Sequence, residues 1–293
     1  MYQPQLFDIP GPKRVVNVAS VPQRSPFRYP GGKTWLIPQI RRWFHSLSAR
    51  PSLFVEPFAG GGIVSLTVAF ENLAERVLMV ELDEQVASVW RVILSDDAEW
   101  LADRILFFEL TSKSVREELS KNNDSLRDMA FRTLLRNRTN HGGIMAPGSG
   151  LIRHGENGKG IGSRWYPMTL SKRIRDIGRV KDRITFVHGD GPTVMREHAH
   201  RADAVFFIDP PYTAAGKKAG TRLYTYNDLD HEDLFSLAGT ISGDFLMTYD
   251  NAEEIQAMAA RHGFDFEEIP MKSTHHAEMT ELLIARDLRW ART

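Results

Sequence analysis

Ser52-Leu53-Phe54-Val55 is a short apolar run that meets Glu56-Pro57-Phe58-Ala59-Gly60-Gly61-Gly62, and the stretch from Ile63 to Phe70 then reads as a helix. A buried strand, a glycine cluster and a helix in that order leave few folds open. The glycines let the backbone approach a ligand closely, as at the first turn of nucleotide-binding α/β sheets. A second strand, Val77 to Val80, ends in Glu81, which lies 21 residues after Gly60. An acid at that place can hold a ribose diol. The glycines fit GxG but not GxGxxG, because Ser65 occupies the last position, so a tight strand–helix turn with a surface acid stays open as the other reading.

The alternation continues along the chain. Leu36, Ile37, Ile40, Trp43, Phe44 and Leu47 recur at helical spacing, as do Val86, Val89, Trp90, Ile93 and Leu94. Further strands are expected at Ile184–Val187, Ala204–Ile208, Asp244–Thr248, Phe264–Ile269 and Glu281–Ala285, with helices at His231–Ile241 and Ala252–Arg261. Strands alternating with helices predict an α/β fold with a mostly parallel, doubly wound sheet. Residues 1–26, with five prolines and little periodicity, read as an extended arm. Residues 27–94 and 183–293 carry the strand–helix alternation, and 95–182 interrupt it as a mainly helical insertion with a glycine-rich loop from Asn140 to Gly162.

Composition narrows the function classes. Hydrophobic residues are 42% and charged residues 25% of 293, the balance of a globular chain. No apolar run approaches the ~20 residues of a membrane span, and no basic segment followed by an apolar core marks a signal peptide. Cysteine is absent, which excludes disulfides, iron–sulfur clusters and Cys-ligated zinc and points to a reducing compartment. His198 with His200, and His275 with His276, lack a third clear ligand and read as surface histidines, so no metal is expected. The net charge is zero, yet Arg127 to Arg183 hold thirteen Lys and Arg against four acids. A charge run is commonly a solvated face; one this one-signed inside a neutral chain suits a polyanion.

Two further segments carry chemistry. Asp209-Pro210-Pro211-Tyr212 follows the apolar run Ala204 to Ile208, putting an acid at the carboxyl end of a buried strand, where α/β sheets bind ligands. The prolines end the strand and leave the Pro210 carbonyl as an acceptor, and Tyr212 offers a flat face for stacking. The other is Phe27-Arg28-Tyr29-Pro30-Gly31-Gly32-Lys33-Thr34. Its Gly-Lys-Thr ending invites a P-loop, but Phe27 stands where the first P-loop glycine belongs and no strand precedes it. Lys33 is left as a carboxylate partner at a helix N-terminus.

Taken together, these motifs resemble the Dam-like (D12 class) DNA adenine-N6 methyltransferases, from about Phe27 to Ala285. The aromatic/Gly-Gly-Lys element of that family is matched by Tyr29 to Lys33, its glycine-rich loop by Phe54 to Gly62, and its catalytic tetrapeptide by Asp209 to Tyr212. Asn137 to Gly143 is similar to the segment that opens the family's recognition hairpin, Ile184 to Asp190 to the strand whose acid contacts the cofactor adenine, and Glu281 to Ile284 to the closing strand. The 140–165 loop follows the family only loosely, which leaves the target sequence open.

The resemblance implies an AdoMet-dependent methyltransferase (Rossmann-like) sheet with 95–182 as the target-recognition insertion. It implies S-adenosyl-L-methionine (AdoMet) as cofactor, held by Tyr29, Lys33, Phe58, Gly60, Gly62, Glu81, Asp190 and Asp209. It implies catalysis by Asp209, Pro210 and Tyr212 on a base flipped from duplex DNA. DNA contacts are expected from Arg28, beside the target adenine, and from Arg136, Arg138 and Arg164 in the basic segment. The expected place is the cytoplasm of a bacterial or phage-infected cell, near the nucleoid, in a restriction-modification, phage or orphan regulatory setting. Methylation of another amine (cytosine N4, RNA adenine or protein glutamine) and a non-catalytic DNA-binding role are the alternatives. Finally, Gln3-Pro4-Gln5-Leu6-Phe7 resembles the peptide by which bacterial DNA enzymes dock on the sliding clamp; packing of Leu6 and Phe7 on the chain's own body is the other reading.

Overall fold

The computed structural model describes residues 16, 18–28, 31–122, 125–143, 150–155, 158–211, 229–272 and 278–292. Seven strands form one sheet: β1 (Leu53–Glu56), β2 (Arg76–Glu81), β3 (Ile184–His188), β4 (Ala204–Ile208), β5 (Asp244–Asp250), β6 (Asp265–Lys272) and β7 (Glu278–Ala285). Their order is β3-β2-β1-β4-β5-β7-β6. The first five strands are mutually parallel, and β7 runs antiparallel between β5 and β6. The sheet is doubly wound as expected, with a hairpin added at one end. Pro270 sits in β6, an edge strand where a missing N–H does no harm.

The helices are α1 (Ile37–Ser46), α2 (Ile63–Glu71), α3 (Glu84–Ile93), α4 (Ala98–Phe107), α5 (Ser112–Ser120), α6 (Leu126–Thr139), α7 (Pro167–Gly178), α8 (Gly191–His198), α9 (His231–Thr240), α10 (Glu253–Arg261) and α11 (Arg289–Arg292). No described helix is long and apolar enough to cross a membrane. Alternate residues of each central strand enter different cores, as a period of two requires. Phe54, Val205, Phe207 and Leu246 face α1, α2 and α3. Leu53, Val55, Phe206, Ile208 and Phe245 face α8, α9 and α10. Strands covered on both faces need no polar side, which is why β1 and β4 are apolar until their ends.

Helix starts follow local chemistry. The Asp83 carboxylate accepts from the Gln85 and Val86 amides at 2.8 and 3.1 Å and starts α3. Thr111 and Ser114 form a capping box at α5, and Ser125 caps α6.

Between α3 and β3 lie α4 to α7. These four helices continue the first core: Leu101, Ile105, Phe131, Leu134, Leu170 and Ile174 join the residues of α1 to α3, and α6 packs along α3. The end of the N-terminal arm joins that core too. Val21 is 4% exposed, and Arg24 pairs with Glu71 of α2 at 3.0 Å. Gln3 to Phe7 lie outside the described residues, as do Tyr29 and Tyr212.

Candidate active site

β1 and β4 are neighbours, and the chain winds outward from them in opposite directions, through β2 and β3 on one side and β5 on the other. Ligands bind beyond the carboxyl ends of strands at such a switch point. Both strands lead to an acid there, Glu56 as the last residue of β1 and Asp209 directly after β4. A cavity of about 430 Å³ opens between them.

The glycine loop forms one wall. Gly60 and Gly62 have φ of 47° and 61°, the left-handed region that favours glycine. A Cβ on Gly62 would stand 2.6 Å from Met79 Cε and 2.8 Å from Trp90 Cζ2. Both polar backbone groups of Gly60 are held from within: its N–H donates to Glu81 Oε2 at 2.8 Å, and the Trp90 indole donates to its carbonyl at 2.9 Å. The loop is therefore fixed before any ligand arrives, and its three glycines line the cavity.

Glu81 is buried, and its other oxygen accepts from the Asp83 amide at 2.8 Å. Burial pushes its carboxyl up to about 7, despite those amide donors. The Leu82 amide also donates to this carboxylate, and the lone pair left over can accept from a ligand hydroxyl. Glu56 is 3% exposed and accepts from the Ser65 amide, in the first turn of α2, at 2.9 Å. Burial outweighs that donor and pushes its carboxyl up to about 8.

Asp209 is anchored from two sides. Lys33, at the start of a short 3-10 turn, places Nζ 3.1 Å from Asp209 Oδ1 and 3.2 Å from Glu281 Oε2. It also donates to the Gly31 carbonyl at 3.1 Å. The Thr248 hydroxyl donates to Asp209 Oδ1 at 2.7 Å. Lys33 is 3% exposed, so this ammonium is held by acceptors rather than by water. Burial pushes Glu281 up to about 7, with the Lys33 charge opposing.

Nine of the residues expected at the site line this one cavity: Arg28, Lys33, Phe58, Gly60, Gly62, Glu81, Arg138, Asp190 and Asp209. Asp190 also caps α8, its Oδ2 accepting from the Thr193 amide at 2.9 Å and the Thr193 hydroxyl at 2.6 Å. Pro210 is buried beside the cavity, while Pro211 lines it. Arg136 and Arg164 are not among the lining residues. Arg136 donates to Gln85 Oε1 on α3 at 2.6 Å, and Arg164 sits half-buried at the end of the 3-10 turn Gly160–Arg164.

The basic segment needs correcting as an exposed surface. Arg138 is buried, with its guanidinium on the Pro26 carbonyl inside the cavity wall. Several other cations are matched by acids from the preceding segment: Arg132 by Glu118, Arg175 by Glu99 and Asp103, Arg127 by Asp97, and Lys181 by Asp96. Counting charge from residue 127 onward left those acids out.

Sequence reasoning gave no site role to Glu56, Thr248, Glu281 or Asn137. Glu56 had a signal, a carboxylate closing an otherwise apolar strand. Asn137 had none: its side-chain amide accepts from the Arg28 N–H at 2.8 Å and donates to the Arg28 and Gly143 carbonyls at 2.9 Å each. It thereby ties α6 to the segment that leads into the glycine–lysine element.

The match to a protein family agrees with this geometry. The model of the D12 class N6 adenine-specific DNA methyltransferases matches residues 29–275. The type II methyltransferase M.MjaIII of Methanocaldococcus jannaschii is 22% identical over 227 residues, 72% of this chain and 76% of that protein. The DNA N-6-adenine-methyltransferase of Escherichia phage P1 is 24% identical over 271 residues, 87% of this chain but 33% of its own length, so the chain spans about a third of that relative. Among solved structures, an rRNA methyltransferase of Streptomyces viridochromogenes aligns at 12% identity with a TM-score of 0.38, over 89% of this chain and 86% of that one. The chain belongs to the D12 class of N6 adenine-specific DNA methyltransferases, whose methyl donor is S-adenosyl-L-methionine.

Proposed function

We propose that this chain methylates adenine N6 at a specific site in duplex DNA, acting on a base flipped into the cavity beside Asp209. The observation that carries the reading is the anchored carboxylate. Asp209 stands at the switch point, fixed by Lys33 and Thr248, on the same cavity as the preformed glycine loop.

The residues present fit AdoMet. The side-chain-free wall of Gly60 to Gly62 admits a close ligand, and Glu81 on that wall suits a ribose diol. Leu82, 41% exposed, and Phe58 offer apolar surface to an adenine ring, with Asp190 beside them. The buried Glu56 suits an ammonium group. When bound, the cofactor supplies an electrophilic sulfonium methyl and leaves as a neutral thioether.

Adenine N6 is a poor nucleophile because its lone pair is delocalised into the ring. In this reading the Asp209 carboxylate and the Pro210 carbonyl accept its two N–H bonds and favour a pyramidal nitrogen with its lone pair aimed at the methyl. With the methyl that the cofactor would supply, Asp209 would take the proton that the methylated nitrogen gives up. Lys33 and Thr248 keep the carboxylate in place throughout. Tyr212 stacks on the flipped base, whose extrusion costs about a few kcal/mol.

The helical segment 95–182 is assigned to target recognition, with Arg28, Arg136 and Arg164 contacting DNA. Gln3 to Phe7 are assigned to clamp docking; a pull-down in which the intact protein retains no clamp would end that part. For the enzyme, transfer of labelled methyl from AdoMet to duplex oligonucleotides, followed by nucleoside analysis and sequencing, should return N6-methyladenine at one motif. Label on cytosine N4, or transfer to RNA or protein alone, would replace this reading with one of the alternatives.

A further inference from the structure

Two guanidinium groups in the cavity wall have no part in the chemistry above. Arg138, on α6, is 7% exposed; its Nε donates to the Pro26 carbonyl at 3.1 Å, and its Nη2 reaches the same oxygen. Arg173, on α7, is half-buried, and its Nη1 donates to the Ser25 carbonyl at 2.9 Å. Both line the cavity, and they grip adjacent carbonyls of one segment. Burial, and secondarily the Arg173 charge, lower Arg138 to about 10, which leaves it protonated at neutral pH.

Among the described residues, neither group is in an ion pair with a carboxylate, unlike Arg127, Arg132 and Arg175 of the same segment. Two like charges in a largely dry wall are costly unless an anion joins them. The carbonyl dipoles offset part of that cost and leave the net charge at plus two. Each guanidinium has five N–H donors in a planar fork suited to carboxylate or phosphate, and the two carbonyls engage only some of them.

The surroundings select between those anions. Ser25 donates its hydroxyl to the Gly61 carbonyl, so the pair stands next to the glycine loop. Phe27 packs on Trp90, which holds Gly60. Glu56, a buried carboxylate, lines the same cavity. Two cations and a buried acid around one space match the zwitterionic end of an α-amino acid. A phosphate of duplex DNA would have to bring its strand to a group that is 7% exposed.

We propose that Arg138 and Arg173 form the subsite for the α-carboxylate at the methionine end of the cofactor. This assignment rests on the cavity being the AdoMet site, and the test separates the two claims.

Calorimetry would compare AdoMet with its decarboxylated analogue, which retains the sulfonium and the amine, on the wild type, Arg173→Gln and Arg138→Lys. The wild type should prefer AdoMet by about ten- to a hundredfold, the scale of one charge-assisted hydrogen bond. Arg173→Gln should close most of that gap by weakening AdoMet alone. Arg138→Lys, which keeps the charge and loses the fork, should narrow it in part, giving a second variant if the first fails to fold.

Equal wild-type affinity for the two ligands would overturn the subsite and leave the cavity assignment standing. Equal loss for both ligands in Arg173→Gln would reduce the pair to scaffolding. Unchanged AdoMet affinity with a shallower salt dependence of DNA binding would hand Arg173 to a phosphate. No AdoMet binding by the wild type would overturn the cavity assignment and this one with it.

Discussion

The carboxyl ends of β1, β2 and β4 and the helices α4 to α7 use charge in opposite ways. At the strand ends the buried groups are mainly acids, held by backbone amides or by one lysine: Glu81 on Gly60 and Asp83, Glu56 on Ser65, and Asp209 with Glu281 on Lys33. In the helical segment the charges are matched in kind, arginines against the acids of α4 and α5. Backbone amides leave a carboxylate its remaining lone pairs, and a matched ion pair leaves little for a ligand. The first region is therefore built for small polar ligands. In the second, the proposed DNA contacts fall to Arg136 and Arg164.

The largest expected effect tests whether chemistry resides wholly in the first region. Asp209→Ala should lower single-turnover methyl transfer by about a thousandfold or more, the scale of losing a positioned charge at a reacting centre, with DNA affinity nearly unchanged. Turnover near that of the wild type would remove Asp209 from catalysis; a parallel loss of DNA binding would show that the two regions are not separable.

Next comes the burial of the acids. Glu56, Glu81 and Glu281 all have carboxyls raised above the ordinary value of 4.5, to about 8, 7 and 7. A raised carboxyl means that the folded state holds protons the unfolded state has released. Ligand-free stability should thus fall as pH rises from about 4.5 to about 8, at about 1.4 kcal/mol per pH unit for each whole proton. Glu56→Gln removes the group that titrates last. Urea midpoints of this variant should fall less steeply between pH 7 and 8 than those of the wild type, with Glu81 and Glu281 supplying the slope that remains. The same slope in both would mean that Glu56 is hydrated.

How far this was legible in the sequence divides along the same line. Strand–helix alternation, the glycine cluster and the acid after Ala204–Ile208 are local signals, and each stands where expected. β7 begins three residues before the expected Glu281, because Glu278 to Thr280 gain their strand geometry from the β6 hairpin and not from their own composition. The Glu281–Lys33 and Asn137–Arg28 contacts join residues 248 and 109 positions apart, and no periodicity encodes them. The basic segment misled because its neutralising acids lie earlier, from Asp96 to Glu118.

That segment gives the third test. Glu118 is buried and faces Lys121 at 2.7 Å, Arg132 at 3.2 Å and Arg104 at 3.3 Å. Burial opposes its charge, and the cations win, holding the carboxyl below the ordinary range. Glu118→Gln should cost about 2–3 kcal/mol in chemical denaturation, between the exposed and buried limits for an ion pair. It should leave AdoMet affinity unchanged. A neutral effect would mean that Arg132 of α6 and Arg104 of α4 are not held by this acid.

The smallest effect falls at the junction of the two regions. Asn137 grips the Arg28 backbone through both its N–H and its carbonyl, so the position of Arg28 is set by α6 while its neighbours Gly31 to Lys33 serve the cavity. In the proposed reading, an arginine fixed there, on the cavity assigned to a flipped base, is placed to read the adjoining base pair. Arg28→Ala should then cost about 1–3 kcal/mol at one position of the recognition site and little elsewhere, read by competition among duplexes that vary one base pair at a time. A loss spread equally over all sequences, with a shallower salt dependence, would make the contact a phosphate. Asn137→Ala keeps the arginine and frees its backbone. It should relax the same position and no other, whereas a phosphate contact would lose affinity without losing discrimination. If both variants read every duplex as the wild type does, α6 and the glycine–lysine segment are joined for stability alone, and recognition lies wholly within the helical segment.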